Sequence, residues 1–361
     1  MNAECVQAAR GDALPAGPLP RRAAAPSGGS AAGAAAKRGG QQSGAALLMA
    51  MITVALVATL AAGALWRQWR GVEVESAERA RVQSAWILTG ALDWGRLILQ
   101  GDLNEDRRKG HLVDHLAEPW AVPLAEARLS TFLAAGERDA ELERDAFLSG
   151  EITDLQARLN VMNLVTEDAL GALARFERLF DLLGLPSQQL GALQRALARA
   201  RDAQDGTLED DGDAPLLPRR FEQLAWLGLD AEALARLRPY VTVLPLQGGR
   251  PTPVNLNTAS ASVMHAAVPG LDLAQAERLV ALRSQNDFKS PQAAMEALGV
   301  TDAELGWATV SSGFFEIRGR LRLDDFALEE VAAMQRAAGV RGRRTVTVLW
   351  RERQSLTLEA R

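Results

Sequence analysis

Residues 41–66 read QQSGAALLMAMITVALVATLAAGALW. A polar start passes one glycine, Gly44, and the next 22 residues, Ala45 to Trp66, carry no charge. At about 1.5 Å of rise per helical residue the run reaches roughly 33 Å, enough for a hydrocarbon core of about 30 Å. The apolar core of a secretory signal is shorter, about 7–15 residues. The run closes on Trp66, Arg67, Trp69 and Arg70, residue types that suit the headgroup level. These features predict a transmembrane helix rather than a buried core helix. Arg10, Arg21, Arg22, Lys37 and Arg38 precede it, while Arg67, Arg70, Arg79 and Arg81 follow it beside Glu73, Glu75 and Glu78. Charge therefore favours a cytoplasmic amino terminus only slightly.

The chain has 361 residues and a formal net charge of −5. Its first 44 residues carry five basic and two acidic groups, net +3, which leaves −8 for the remainder. A surface of that sign does not attract nucleic acid as a whole. The single cysteine, Cys5, lies in the Ala-, Gly-, Pro- and Ser-rich segment 1–44, so no disulfide is expected to support the fold. That segment has no apolar periodicity and is expected to be disordered.

Beyond the membrane the helical pattern continues without proline through residue 99. Val74, Val82, Trp86, Leu92 and Leu97 recur near helical spacing, and the whole can form one helix of about 55 residues. Pro119 and Pro123 break it. Residues 146–164 alternate imperfectly, as one or two short strands would. From Leu164 to Leu305 the chain reads as amphipathic helices punctuated by Gly184-Leu185-Pro186, Gly228 and Pro269-Gly270. Residues 313–323 and 343–353 read as strands. Between them FALEEVAAMQRAAG, 326–339, has helical propensity but the position of a middle strand, and its state stays open.

QSG followed by AALLMAMITVALVATLAAG is similar to a type IV prepilin processing site and its hydrophobic helix. Four blocks extend the likeness: VDHLAEPWAVPL (113–124), EITDLQARLNVMNLV (151–165), EQLAWLGLDAEALARLRPYVTVLP (222–245) and PVNLNTASASVMHAAVPGLDLAQAERLVALR (253–283). Together they resemble the minor pseudopilin K family of the type II secretion system. The resemblance implies cleavage by the prepilin peptidase after Gly44, leaving Ala45 as a methylated mature first residue. It implies an inner-membrane protein with a cytoplasmic amino terminus and a periplasmic bulk. It also implies a nonenzymatic subunit of the pseudopilus tip that helps export folded proteins. Its expected partners are the minor pseudopilins I and J, the other pseudopilins and the prepilin peptidase, with no nucleic acid.

The implied fold is α+β: a pilin-like long helix on a small antiparallel sheet. A large helical insertion with helix-hairpin-helix and SAM-like modules interrupts that sheet. The expected division is a leader (1–44), a transmembrane helix (45–66), the rest of the long helix with the first strands (67–163), the insertion (164–310) and the last strands (311–361). Most pilin-like subunits carry a glutamate at mature position five, where this chain has Met49. A buried charge is costly unless paired, and a tip subunit has no neighbour above it to receive one. Met49 and Trp86 are candidate subunit-contact residues.

Three motifs bear on chemistry. AAVPGLDLAQAERLVALR (266–283) resembles a helix-hairpin-helix, whose DNA-binding forms use backbone N–H groups and cations on phosphate. Here Asp272 sits in the hairpin, with Arg278 and Arg283 the cations nearby, which favours an interaction module over DNA uptake. His111 and His115 lie four apart, but Leu112 stands where a metalloprotease has its glutamate, and structural duty is the better reading. The run RDAQDGTLEDDGDAP (201–215) carries Asp202, Asp205, Glu209, Asp210, Asp211 and Asp213. It is either a solvated acidic loop or, since some family members bind calcium, a calcium-binding one. No cofactor is required, and no nucleophile, phosphate-binding or paired-cysteine motif is present.

Overall fold

The computed structural model describes residues 42–129, 146–206, 214–300, 303–323, 326–338 and 344–357. It divides into two units, Met1–Glu73 and Val74–Arg361. The leader expectation for residues 1–41 lies outside the described residues.

Helix α1 (Gln42–Lys109) begins just before Gly44 and outlasts the expected 55 residues, reaching 68. No proline occurs in the chain between it and Pro119. Three cations in the last turn, Arg107, Arg108 and Lys109, complement the helix dipole. Gly110 then takes φ +81°, a left-handed stop that costs a glycine little. In the first unit α1 holds one stretch long and apolar enough to cross a membrane, with a mean hydropathy of 2.4 and none of it buried.

In the second unit α1 packs on a five-stranded antiparallel sheet. The strands in chain order are β1 (Leu124–Arg128), β2 (Ala146–Asp154), β7 (Phe314–Leu323), β8 (Phe326–Ala338) and β9 (Arg344–Thr357). The sheet has the same order, β1-β2-β7-β8-β9. The helix buries Ser84, Leu88, Leu92, Gly95, Leu99, Leu103 and Asp106, a 3.6-residue stripe. Leu92 and Leu99 meet Phe315, Ile317, Ala332, Met334 and Val346, while Leu88 meets Leu321 and Leu328. Gly95 permits the closest approach. A Cβ there would lie 2.9 Å from Ile317 Cγ2.

The apolar residues whose spacing predicted this helix divide between two faces. Leu92 alone turns to the sheet, whereas Val74, Val82, Trp86 and Leu97 face outward. Helix α1 thus carries two apolar stripes, and the buried one is interrupted by serine, glycine and aspartate.

The ambiguous segment 326–338 is strand β8, paired on both sides. Two ladders of cross-strand hydrogen bonds override a helix-leaning composition. Its acidic residues are accommodated by arginines. Glu329 is reached by Arg318 at 3.2 Å and Arg320 at 3.0 Å, and Glu330 by Arg353 at 2.7 Å.

Between β2 and β7 lies the helical region. Its elements are β3 (Leu159–Asn160), α2 (Ala169–Leu183), α3 (Ser187–Gln204), α4 (Ala231–Leu237), β4 (Val241–Thr242), β5 (Val254–Asn255), α5 (Ala261–Ala267), α6 (Leu273–Arg283), α7 (Pro291–Leu298) and β6 (Ala308–Thr309). Strands β3 and β4, and β5 and β6, form two short parallel pairs. A separate core gathers Phe176, Leu179, Phe180, Leu197, Leu237, Met264 and Leu279.

Asparagines in the sequence blocks fasten this region. Asn255 Nδ2 lies 3.1 Å from Asp114 O, 3.0 Å from Asp154 Oδ2 and 3.0 Å from Ser312 Oγ. Asn160 donates to Leu244 O and accepts from Leu244 N. Asn257 does the same with Phe288. Such reciprocal amide bonds replace the ladder that an irregular chain lacks.

Candidate functional site

Gly44 and Ala45 stand exposed in the first turn of α1, and nothing lies within 4 Å of a Cβ built on Gly44. Met49 is exposed four residues beyond Ala45. On the second unit Trp86 is 73 % exposed, and Trp94, two turns along, is 66 % exposed. With Val82 and Leu97 they form an apolar outer stripe, to which Trp94 is an addition that the helical spacing alone did not single out. Glycines 90 and 101 flank Trp94 on α1 with open space around them.

The two histidines do not share a helix, because α1 ends at Lys109. His111 is exposed, and His115 Nδ1 accepts from the Ala117 amide at 3.3 Å. In the acidic run, Asp202 and Asp205 are exposed at the end of α3, and Arg201 pairs with Asp205 at 3.5 Å. Glu209 and Asp210, Asp211 and Asp213 lie outside the described residues, so the loop expectation rests on its sequence.

The turn between α5 and α6 runs through Gly270 at φ +78° into Asp272. Asp272 caps α6: its Oδ1 accepts from the Gln275 amide at 2.7 Å, and Gln275 accepts from the Asp272 amide. Arg283 is not free for phosphate. It donates to Leu256 O and Ala259 O, and burial pushes its pKa down to about 10. Arg278 remains exposed on α6.

A cluster not foreseen from the sequence sits where α1 ends. Asp102, Asp106 and Glu118 each offer a carboxylate oxygen, all within 4.8 Å of one another, and these residues could coordinate a metal ion. Arg336, from β8, donates to Asp102 Oδ2 at 2.6 Å and to Asp114 Oδ1 at 2.5 Å, with its guanidinium 4.4 Å from the Phe315 ring centre. Asp114 also accepts from the Ser312 amide at 2.7 Å. Glu118 Oε2 accepts from Trp120 Nε1 at 2.5 Å and from the His115 amide at 3.1 Å. Trp120 in turn packs edge-on against Phe315, with ring centres 5.1 Å apart.

Crowding of carboxylates out of water raises their pKa values. Burial pushes Glu118 up to about 8, helped by the charge of Asp102 and opposed by the Trp120 and His115 bonds. Burial also raises Asp102 against the pull of Arg336, and raises Asp106 with help from Asp102. A useful signal lay in spacing: Asp106 continues the buried positions 92, 95, 99 and 103.

Comparison with known proteins agrees with this architecture. Two family models described as type II secretion system, protein K, match residues 157–246 and 254–312. No curated protein matches the chain. One chain of the crystal structure of the GspK-GspI-GspJ complex from the enterotoxigenic Escherichia coli Type 2 Secretion System is 16 % identical. It superposes with a TM-score of 0.53, covering 79 % of this chain and 99 % of that one. That likeness speaks for the fold, and the two family matches fall on the interleaved helical region that sets this fold apart from a bare helix-on-sheet. Residues 157–246 and 254–312 thus match the type II secretion system protein K family.

Proposed function

We propose that the chain is a structural, nonenzymatic minor pseudopilin at the tip of the type II secretion pseudopilus, where it helps export folded proteins. The observation that carries this reading is the helical region of the protein K family inserted between β2 and β7 of a sheet packed on a long apolar helix. Residues 45–66 anchor it in the inner membrane with a cytoplasmic amino terminus and a periplasmic bulk. The prepilin peptidase cleaves after Gly44, and Ala45 becomes the methylated first residue. Met49, at position five of the mature chain, offers no carboxylate to a subunit above, as suits a terminal position.

The outer stripe of Val82, Trp86, Trp94 and Leu97 is the proposed contact surface for the minor pseudopilins I and J. The similar structure is itself a complex of that composition. The α5–α6 turn is read as a helix-hairpin-helix interaction module, since Asp272 and the internally engaged Arg283 oppose a phosphate backbone. Calcium bound by the 202–213 loop would raise the unfolding temperature over that in chelator.

The test is recovery from membranes. Affinity-tagged chain should bring down pseudopilins I and J and show a mass beginning at Ala45. A chain that retains Cys5 in cells with active prepilin peptidase, or that recovers neither partner, contradicts the reading.

A further inference from the structure

We propose that Asp102, Asp106 and Glu118 form a site for one hard divalent cation of the calcium class, clamping the last turns of α1 to the segment that leads into β1. This site is separate from the acidic run 202–213, and its logic does not depend on the secretion reading.

The donor set is the first argument. Three carboxylates, with no nitrogen or sulfur donor, select oxygen-seeking ions over zinc or copper. Calcium binds oxygens at about 2.3–2.6 Å, so two ligands on one ion stand at most about 5 Å apart. The three donor atoms lie within 4.8 Å of one another, a span that such an ion bridges from the middle. Magnesium, with bonds of about 2.0–2.1 Å and a strict octahedron, would require the cluster to contract.

The second argument is an orphaned atom. Asp106 is 4 % exposed, and its Oδ2 is closed to solvent with no hydrogen-bond partner among the described residues. A buried carboxylate oxygen left this way is costly. A cation satisfies it directly. A proton on Glu118 would lower the local charge but would not reach every orphaned lone pair.

Third, the surroundings already hold the outer ligands in place. Arg336 engages Asp102 Oδ2, and Trp120 with the His115 amide engages Glu118 Oε2. Asp102 is thus oriented through one oxygen while possessing a second, and the second oxygen of Glu118 has His115 Nε2 near it, at 3.9 Å, the arrangement by which second partners position metal ligands. The charge balance points the same way. One buried guanidinium, Arg336, faces Asp102, Asp106 and Asp114, His115 Nε2 lies 3.9 Å from Glu118, and Lys109 at the rim is committed to Glu105 at 3.0 Å.

Terbium(III) replaces calcium in oxygen sites and luminesces when a tryptophan beside it is excited. Trp120 Nε1 stands 2.5 Å from Glu118 Oε2, so the full-length chain in detergent micelles carries its own reporter. Tryptophan excitation should produce terbium emission that calcium displaces and magnesium does not. Asp106→Asn and Glu118→Gln should each weaken terbium binding by at least about tenfold, whereas the Asp210→Asn, Asp211→Asn double variant should leave this emission unchanged. Trp120→Phe, which keeps a ring against Phe315, should abolish the emission but retain the calcium-induced rise in unfolding temperature. Because both carboxylate variants relieve like-charge crowding, they should unfold in chelator no earlier than the wild type and gain less from calcium. Absent emission, emission that survives in Asp106→Asn or Trp120→Phe, or an Asp106→Asn loss of stability equal in calcium and chelator would each overturn the site.

Discussion

Replacing Arg336 by methionine tests how the sheet holds the end of α1. The side chain is 3 % exposed and its two charged bonds end on Asp102 and Asp114, whose side chains are 12 % and 1 % exposed. Methionine keeps most of the apolar stem against Phe315 but removes both bonds, so packing loss is a minor part of the effect. What remains is a pair of buried carboxylates without their cation. Breaking a buried ion pair on one side costs about 3–5 kcal/mol. For a unit of this size each kcal/mol moves the melting midpoint by about 2–4 °C, so a fall on the order of 10 °C is expected. The measurement is thermal unfolding of the full-length chain in detergent, followed by near-ultraviolet circular dichroism and carried out in chelator. A second variant isolates the cause. Arg336→Met combined with Asp102→Asn should recover part of the loss, because one stranded charge is gone, and the non-additivity should exceed about 0.5 kcal/mol. A midpoint within about 2 °C of wild type for the single variant would refute the argument that this arginine compensates buried charge.

Trp86→Asp and Trp94→Asp should leave the melting midpoint nearly unchanged, because both rings face outward, while recovery of pseudopilins I and J from membranes falls; full recovery with both variants would exclude the outer stripe as the interface. Gly95→Val should cost about 1–3 kcal/mol by overpacking against Ile317, visible as a lower urea midpoint at unchanged slope. In chelator, stability should fall as pH rises. Glu118, pushed up to about 8, and Asp154, pushed up to about 6, keep protons in the fold that the unfolded chain releases in the ordinary carboxylate range. Their contribution is therefore complete below about pH 4 and is lost as pH passes 6 and then 8. Asp102, Asp106, Asp114 and His115 are the ionisable neighbours of Glu118, and Glu118→Gln should flatten the upper part of the profile, read from melting midpoints between about pH 6 and 9.

The long apolar helix was plain in the sequence because 22 residues without a charge match the thickness of a bilayer core and outrun the apolar core of a secretory signal. The strands β7 and β9 were plain because their signal is also local, an alternation of β-branched and aromatic residues. What stayed hidden depended on distant partners. Segment 326–338 looked helical because its alanines and glutamates suit a helix, and only the arginines of β7 and β9 make buried Glu329 and Glu330 acceptable in a strand. The sheet-facing stripe of α1 was not legible, because Ser84 and Gly95 are small and turned in, while large apolar residues such as Trp94 and Leu97 are turned outward. The carboxylate cluster was hidden for a related reason, since the spacing that reaches Asp106 is informative only once the buried stripe is known. Asp102 and Asp106 four apart at a helix end resemble any solvated pair, and Arg336, which marks them as buried, is 234 positions from Asp102.

The interruption of the sheet by the helical region also governs the order in which the chain can assemble. Strand β2 pairs with β7 across a gap that runs from 161 positions, between Asp154 and Phe315, to 177, between Ala146 and Leu323. By contrast β7, β8 and β9 follow one another closely in sequence and form a local meander. Closing a long loop costs entropy before its contacts repay it, so distant pairings form late. During synthesis from the amino terminus, β2 emerges long before its partner exists, and its edge waits unpaired. An unpaired strand edge invites association with other chains. The insertion thus creates a period of vulnerability during synthesis that an uninterrupted sheet would avoid. Pulse-labelling hydrogen exchange during refolding should find the β7–β9 amides protected ahead of those of β2. Simultaneous protection would mean that the helical region folds fast enough to deliver β7 without delay.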